Sequence, residues 1–168
     1  WKHVALKEQD DRWLYLPALD LVKRIAATDK RTSFVGSHFF YEDVSGRNTN
    51  LDQHEVIDVT DQYYVVKSTP KLPENVEFAY YKNWIHKTTF IPVKTAYYKE
   101  DGTAYRRYEV LQVETVQGNK TIMKSQMSDL RSGGHTLLEY TEVEYDIGLP
   151  ESSFSERYLR RAPRRYLR

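Results

Sequence analysis

The sequence predicts a mostly β protein built from an antiparallel meander that forms a strongly curved sheet or an open barrel. Aromatic residues make up 14% of the 168 positions and include 14 tyrosines, a residue type that favours pleated sheet surfaces. Strand-like segments follow one another with short turns between them. Several of these segments exceed ten residues, longer than the usual mode of about 5–6. Long consecutive antiparallel strands are typical of sheets that curve strongly.

The first elements along the chain are two short strands, over residues 12–17 and 21–26. Proline ends the first strand because it cannot donate to a ladder. The link 18–20 has the length of a hairpin connection. Alternation places Leu14 and Leu16 on one face of the first strand and the aromatic residues between them on the other.

Residues 28–50 break the strand pattern and predict a long ordered loop with one helical turn near 39–44. Loops of this length are usually functional or packed as a lid. Two interpretations stay open: the loop plugs one end of the curved sheet, or it is a movable lid over an apolar cavity, with Gly36 and Gly46 as hinges. The loop holds four aromatic residues, Phe34, Phe39, Phe40 and Tyr41.

Strand signals then recur almost without pause to residue 145. The prolines near residue 70 break the run, and glycines in the later turns supply positive φ angles. A short helix over 151–159, with Ser152 or Ser153 as N-cap, ends the pattern. The predicted strands span 55–59, 63–68, 76–86, 90–99, 104–116, 120–130 and 135–145.

The strand predicted over 76–86 is partly apolar on both of its faces. One face carries Val76, Phe78, Tyr80 and Trp84, and the other carries Ala79, Tyr81 and Ile85. A sheet with one face in water shows a cleaner alternation. We therefore expect each face to be covered by a helix, a partner or an apolar ligand.

Composition and motif content argue against most catalytic and nucleic-acid functions. The net charge of +1, from 25 basic and 24 acidic residues, is unlike the strongly basic footprint of a nucleic-acid-binding domain. The chain has no cysteine and no apolar run near the roughly 18 residues of a membrane helix. Its five histidines lack metal-ligand spacing. We predict no catalytic residue, metal or cofactor.

Two charged regions have simple interpretations. Glu139, Glu142 and Glu144 alternate on the last predicted strand and are best read as a solvated face. Six arginines crowd residues 157–168. This basic C-terminal tail is expected either to meet anionic lipid headgroups or to be a solvated terminus.

Several motifs resemble the LolA-like periplasmic family, the outer membrane lipoprotein-sorting proteins. The first is the Trp-Leu-Tyr-Leu-Pro-Ala-Leu-Asp run of 13–20, followed by Val-Lys-Arg-Ile at 22–25. The second is the Ser-Phe-Val-Gly-Ser-His-Phe-Phe-Tyr-Glu-Asp loop of 33–43, where Val35 replaces the usual methionine. Further matches lie at 68–71, 98–102, 148–150, 154–155 and 157–159, so the resemblance spans almost the whole chain.

The resemblance implies one LolA-like domain over residues 1–168: a half-open antiparallel β-barrel with a loop-helix lid and a hydrophobic cavity. In the family, that cavity holds acyl chains of lipoproteins in transit between membranes. It further implies a periplasmic location in a Gram-negative bacterium, no catalysis and no cofactor. The implied partners are an acyl chain of lipoprotein or lipid, an inner-membrane exporter and an outer-membrane acceptor.

The beginning of the chain departs from the family pattern. Only about a dozen residues precede Trp13, where family members carry several strands, and no signal peptide is visible. The expectation is that the chain is either a mature product or lacks its front. Without the first strands, the cavity is expected to be open or completed by a second chain. An exposed sheet edge then favours dimerisation by strand pairing.

Three functional hypotheses follow. The first is a carrier whose apolar wall and gate bind acyl chains. The second is a non-catalytic interaction module that docks on an envelope exporter or assembly partner. The third is an enzyme on a similar cup, which needs a polar cluster that the sequence does not offer. Ten residues are predicted to form the cavity wall or lid: Trp13, Leu14, Leu16, Ile25, Phe34, Phe40, Tyr80, Trp84, Val93 and Leu137.

Overall fold

The computed structural model describes residues 12–161, which fall into two compact units. The first unit combines 12–32 with 144–161, and the second spans Ser33–Val143. The prediction of one domain over residues 1–168 stays a prediction. So does the basic tail: its residues 162–168 lie outside the described part of the chain.

The first unit is built on an antiparallel hairpin. Strands β1 (Arg12–Leu16) and β2 (Leu21–Ile25) pair along their full length, which confirms the predicted hairpin. Between them, Pro17–Leu19 forms a 3-10 turn. The short helix α2 (Glu156–Arg160) lies against both strands.

The second unit is a seven-stranded antiparallel meander in which every strand pairs with the next along the chain. Short turns such as 100–102 and 117–118 join the strands, with φ of +79° at Gly102 and +84° at Gly118. These are conformations that glycine adopts most readily. The strands are β3 (Asp52–Val59), β4 (Tyr63–Pro70), β5 (Tyr80–His86), β6 (Pro92–Tyr98), β7 (Ala104–Val116), β8 (Asn119–Asp129) and β9 (His135–Glu139).

The sheet is curved and open. Strands β3 and β9 form its two edges and do not pair with each other within the described residues. The prediction of a half-open barrel is therefore corrected to a curved sheet. Closing a barrel needs a matched tilt and stagger of all its strands. Seven strands joined only to their sequence neighbours form a sheet with two free edges.

The long loop before β3 is ordered and contains the helical turn predicted for it. Helix α1 (Tyr41–Ser45) overlaps the helical turn predicted near 39–44 and ends one residue after it. Gly36 and Gly46 both have positive φ, +77° and +82°. Phe39 is buried, as expected if the loop is packed; movement of the loop remains a prediction.

Two of the predicted strands are markedly shorter in the structure. Strand β5 begins at Tyr80, so Phe78 lies before the strand. The alternation of side chains between the two faces of a strand therefore does not apply to Phe78. Phe78 packs with Tyr81 and Tyr105 in the core cluster, whereas the sequence pattern placed Phe78 opposite Tyr81. Strand β9 ends at Glu139, so the acidic residues that follow are not part of a strand face.

Strand β4 is longer than predicted, because Pro70 lies opposite Asp52 at its end. A proline is tolerated there since no ladder donor is needed at the last position. In the described part of the chain, no helix has the length and apolar character that crossing a membrane requires.

Candidate functional site

A cleft of about 410 Å³ lies in the second unit, between the segment 33–51 that carries α1 and one face of the sheet. Strands β5 to β9 supply its floor, and we call this side of the sheet the cleft face. The residues that line the cleft are Phe39, Glu42, Asp43, Val44, Gly46, Arg47, Thr49, Tyr81, Asn83, Pro92, Thr95, Tyr97, Tyr108, Ile122, Ser125, Met127, Leu138 and Tyr140.

The floor follows from strand alternation and register. Asn83 stands opposite Thr95, Thr95 opposite Tyr108, and Tyr108 opposite Met127. Residues directly opposite in adjacent strands share one face of a sheet, so these side chains form a row across four strands. The Thr95 hydroxyl donates to the Asn83 side-chain oxygen at 2.7 Å, which satisfies two polar groups within the row.

Arg106 anchors the segment to the sheet at α1. Its side chain is 1% exposed and forms an ion pair with Asp43. The same guanidinium donates to the carbonyl of His38 at 3.0 Å and lies 3.7 Å from the centroid of the Phe40 ring. Asp43 also accepts from the backbone N–H of Phe40 at 2.6 Å and from the Tyr97 hydroxyl at 3.4 Å. This anchor fixes the start of α1 over β6 and β7.

A second anchor holds the chain just after α1. Gly46 ends the helix at a φ of +82°, and Arg47 then donates to both carboxylate oxygens of Asp52 at 2.8 Å. Arg47 also pairs with Glu42 at 3.2 Å. The Tyr81 hydroxyl donates to Asp52 at 2.8 Å. Asp52 has no exposed side-chain area, so this network ties α1, β3 and β5 together in a buried setting.

Burial changes the acid–base behaviour of the tyrosines on the cleft face. For Tyr81, desolvation first and the hydrogen bond to Asp52 second raise the pKa of the phenol. Burial also raises the pKa of Tyr108, against a hydrogen bond from Ser125 that lowers it. Burial lowers the pKa of Arg47, but the hydrogen bond to Asp52 and the charge of Glu42 outweigh it and raise that pKa. Both tyrosines are therefore neutral, and Arg47 is charged, at neutral pH.

Histidines attach the same segment to the two edges of the sheet. The ring of His38 and its backbone N–H both contact the Thr136 hydroxyl of β9, at 2.8 and 3.1 Å. The ring of His54 in β3 contacts the Ser68 hydroxyl and the carbonyl of Thr49, both at 2.8 Å. The histidines thus act as hydrogen-bonding links in this structure.

The side chains that line the cleft are of a few chemical kinds. Its arginine and carboxylate groups face one another in the two anchors, and the rest of the floor is aromatic, aliphatic or neutral polar. Among the residues described, no group of three or more histidines and carboxylates could hold a metal ion. Apolar walls with a few placed polar groups are the usual makeup of small-ligand sites.

Of the ten residues predicted for the cavity, six lie in this unit, and none of these six lines the cleft. Phe34 packs edge-on against Tyr41, and Phe40 covers Arg106. Alternation places Tyr80, Trp84 and Leu137 on the sheet face opposite the cleft. Val93 lies in β6 between Pro92, which lines the cleft, and Lys94.

The other four predicted residues belong to the first unit. Trp13, Leu14 and Leu16 lie in β1, and Ile25 ends β2, where it is buried. The assignment of all ten residues to a ligand site stays a prediction.

The sequence reasoning missed the floor residues because β5 is apolar on both faces, so periodicity could not choose between them. The available signal was polarity: Asn83 and Thr95 place a pair of neutral polar groups on a face that also carries Tyr81, Ile85 and Tyr97. Such pairs usually mark an interior that needs satisfied hydrogen bonds.

Comparison with solved structures shows a LolA-like fold. A DUF1329 family protein from Desulfovibrio piger has a TM-score of 0.82 and 25% identity, over 95% of this chain and 68% of that chain. A Vibrio parahaemolyticus domain named as a putative outer membrane lipoprotein-sorting protein has a TM-score of 0.80 and 27% identity, over 92% of this chain and 67% of that chain. These similarities confirm the resemblance found in the sequence.

A LolA superfamily protein from Nitrosomonas europaea is similar in fold alone, with a TM-score of 0.62 and 20% identity over 88% of this chain and 67% of that chain. None of the curated proteins compared with the chain matches it. The model of a protein family matches residues 1–161, and the description of that family reads "uncharacterized protein".

Proposed function

We propose that this chain, which belongs to the family whose model matches residues 1–161 and has a LolA-like fold, binds acyl chains of a lipoprotein or lipid in the cleft. The observation that carries the proposal is the cleft itself. The cleft has a volume of about 410 Å³ and lies between α1 and a floor that includes Tyr97, Tyr108, Met127 and Leu138. That volume lies within the roughly 300–1,000 Å³ of small-molecule sites.

The apolar part of the lining supports a saturated chain as the proposed ligand. Each buried methylene contributes about 0.8 kcal/mol, so about ten methylenes contribute roughly 8 kcal/mol before the cost of ordering the chain. Flexible side chains such as Met127 adapt to a ligand that has no polar landmarks. No proton transfer or covalent step is needed, and the proposed function is non-catalytic.

The two anchors give the proposed carrier a defined cover. Arg106 and Arg47 hold the segment 33–51 at both ends of α1. An acyl chain that enters the cleft would lie between α1 and the sheet. We further propose a periplasmic location, with an inner-membrane exporter and an outer-membrane acceptor as partners, on the basis of the lipoprotein-sorting neighbour.

Two neighbouring leucines of β9 provide a matched test. Leu138 lines the cleft, and Leu137 lies on the opposite face with 48% exposure. In Leu138→Asn, a polar amide replaces an apolar side chain of similar size. An acyl chain in the cleft would bury that amide without a hydrogen-bond partner. Such a group costs about 1–3 kcal/mol, so we expect roughly tenfold weaker binding. Leu137→Asn has the same change in strand propensity and should bind within about twofold of the unchanged protein.

The measurement is titration with a fluorescent fatty acid, combined with native mass spectrometry and lipid extraction of the purified protein. A bound acyl species, or saturable uptake that Leu138→Asn weakens and Leu137→Asn does not, supports the proposal. Equal weakening by both variants contradicts the assignment to this cleft. A clean apo mass with no uptake contradicts the carrier function and favours the alternative, a non-catalytic module that docks on an envelope partner.

A further inference from the structure

The face of the sheet opposite the cleft carries a compact group of lysines and aromatic rings. Lys67 of β4, Lys82 of β5 and Lys94 of β6 stand on three adjacent strands. By register, Lys67 lies opposite Lys82, and Trp84 lies opposite Lys94. We call this group the basic aromatic face: Lys67, Lys82, Lys94, Tyr80, Trp84 and Tyr98.

Each lysine of this face lies over an aromatic ring. The rings of Tyr80 and Tyr98 stack at a centroid distance of 4.7 Å and an interplanar angle of 10°. The Lys67 Nζ is 4.8 Å from the Tyr80 centroid, and the Lys82 Nζ is 5.1 Å from that of Tyr98. The Lys94 Nζ is 4.6 Å from the Trp84 centroid. The rings hold the ammonium groups together on one surface.

The lysines carry charge that no carboxylate neutralises by direct contact. Among the described residues, none of the three forms an ion pair, although Glu55 of β3 stands opposite Lys67 and Glu109 of β7 stands opposite Lys94. The later strands differ: Arg107 of β7 pairs with Glu109 at 3.0 Å, and Lys124 of β8 pairs with Glu139 of β9 at 3.3 Å. Positive charge is therefore concentrated on β4 to β6, in a protein whose net charge is only +1.

We propose that the basic aromatic face docks the protein on the surface of a bilayer that contains anionic phospholipids. Lysines attract anionic headgroups over a Debye length of about 8 Å at physiological salt. Tyrosine and tryptophan are the side chains enriched at the level of the headgroups, where one end of the ring is apolar and the other is wet. A sheet face of this kind presents both properties at once. This inference goes beyond the binding of an acyl chain in the cleft.

The same geometry is less suited to a nucleic acid. Single-stranded nucleic acids bind by stacking bases on open ring faces. Here Tyr80 and Tyr98 stack on each other, and lysines lie over Tyr80, Tyr98 and Trp84. The surface therefore carries ammonium groups beside aromatic rings, a combination that suits the headgroup layer of a bilayer.

The test is co-sedimentation of the full chain with vesicles of 70% phosphatidylcholine and 30% phosphatidylglycerol, compared with pure phosphatidylcholine. The test variant is Lys67→Gln, Lys82→Gln and Lys94→Gln combined. The control combines Lys23→Gln, Lys71→Gln and Lys120→Gln, three exposed lysines elsewhere in the chain. Both variants remove three charges and leave the basic tail unchanged. Each lysine that contacts the surface contributes about a fivefold change in partitioning.

We expect binding to the anionic vesicles only, a loss of about 100-fold in the test variant and little loss in the control. Raising NaCl to 0.5 M should abolish binding of the unchanged chain. Circular dichroism checks that the variants fold. If the combined test variant does not fold, the three single variants replace it, and each should bind the anionic vesicles about fivefold more weakly.

Four results would overturn the proposal. They are no binding to anionic vesicles, equal binding to neutral vesicles, equal loss in both combined variants, and tighter lysine-dependent binding to a single-stranded oligonucleotide than to vesicles. Uptake of fatty acid into the cleft is measured separately with the Leu138 variant, so failure of docking and failure of acyl binding give different results.

Discussion

The two faces of the seven-stranded sheet differ in how far their charged side chains are buried and paired. On the cleft face, Arg106 is 1% exposed and paired with Asp43. The next residue of the same strand, Arg107, is 39% exposed and pairs with Glu109 in contact with solvent. On the neighbouring strands, the lysines of the basic aromatic face have no carboxylate partner in the described part of the chain. A one-residue step along a strand thus separates buried pairs from accessible charge.

This difference teaches what each charge does. A buried pair adds little net stability when it is compared with an apolar pair, but it strongly penalises any arrangement that separates the partners. The ion pairs on the cleft face therefore specify where the segment 33–51 sits. Half-exposed charges cost little to place, so those on the opposite face are available to a partner.

Removing Asp52 should have the largest effect, because it is buried and holds both Arg47 and Tyr81. In Asp52→Ala, the guanidinium loses its bidentate partner and the phenol loses its acceptor. Breaking a buried pair from one side costs about 3–5 kcal/mol. We expect a loss of this size in the free energy of unfolding, measured by urea denaturation.

The double variant Arg47→Met with Asp52→Leu is the control for that prediction. It removes both charges of this pair but also takes a cation away from Glu42, so its loss of stability should be smaller than the sum of the losses in Arg47→Met and Asp52→Leu, by about 0.5–3 kcal/mol. A loss below about 1 kcal/mol in Asp52→Ala would show that the second anchor is not a buried pair in solution.

The adjacent arginines of β7 test the comparison between faces directly. Arg106→Met leaves Asp43 buried without its cation and should cost about 3 kcal/mol. Arg107→Met removes an exposed pair and should cost about 0.2–1 kcal/mol. Both variants keep a long unbranched side chain on the same strand. Equal losses, again from urea denaturation, would contradict the contrast between buried and accessible charge.

Local signals in the sequence were sufficient for most of the secondary structure. Strand β7 spans Ala104–Val116 as predicted, because glycines in the turns on both sides mark its ends. The helical turn near 39–44 and the hairpin of β1 and β2 were also predicted. The LolA-like fold followed from motif resemblance and is shared with solved structures.

The lining of the cleft could not be predicted in the same way. Arg106 and Asp43 are 63 residues apart, and no local pattern reveals a pair at that separation. The sequence could not decide which face of β5 lies against the cleft, because apolar side chains occupy both of its faces; Tyr80 and Trp84 lie on the face opposite the cleft. A shift of one residue in register reverses the face of every side chain in a strand, so the pattern of β5 alone cannot assign its residues to the cleft.

The smallest expected effect concerns the stability of the fold at alkaline pH. Burial and Asp52 raise the pKa of Tyr81 in the folded protein above its ordinary value of about 10. The stability that this group contributes is fully present below pH about 10 and falls as the unfolded chain loses its proton first, by at most about 1.4 kcal/mol per pH unit. In Tyr81→Phe the decline between pH 9 and 11 should be shallower, although Tyr108 and Tyr98 also have raised pKa values and maintain part of it. Tyr64→Phe, at an exposed tyrosine of β4, is the control. If urea denaturation gives both variants the same pH dependence, the phenol of Tyr81 is not held in its neutral form by the cleft face.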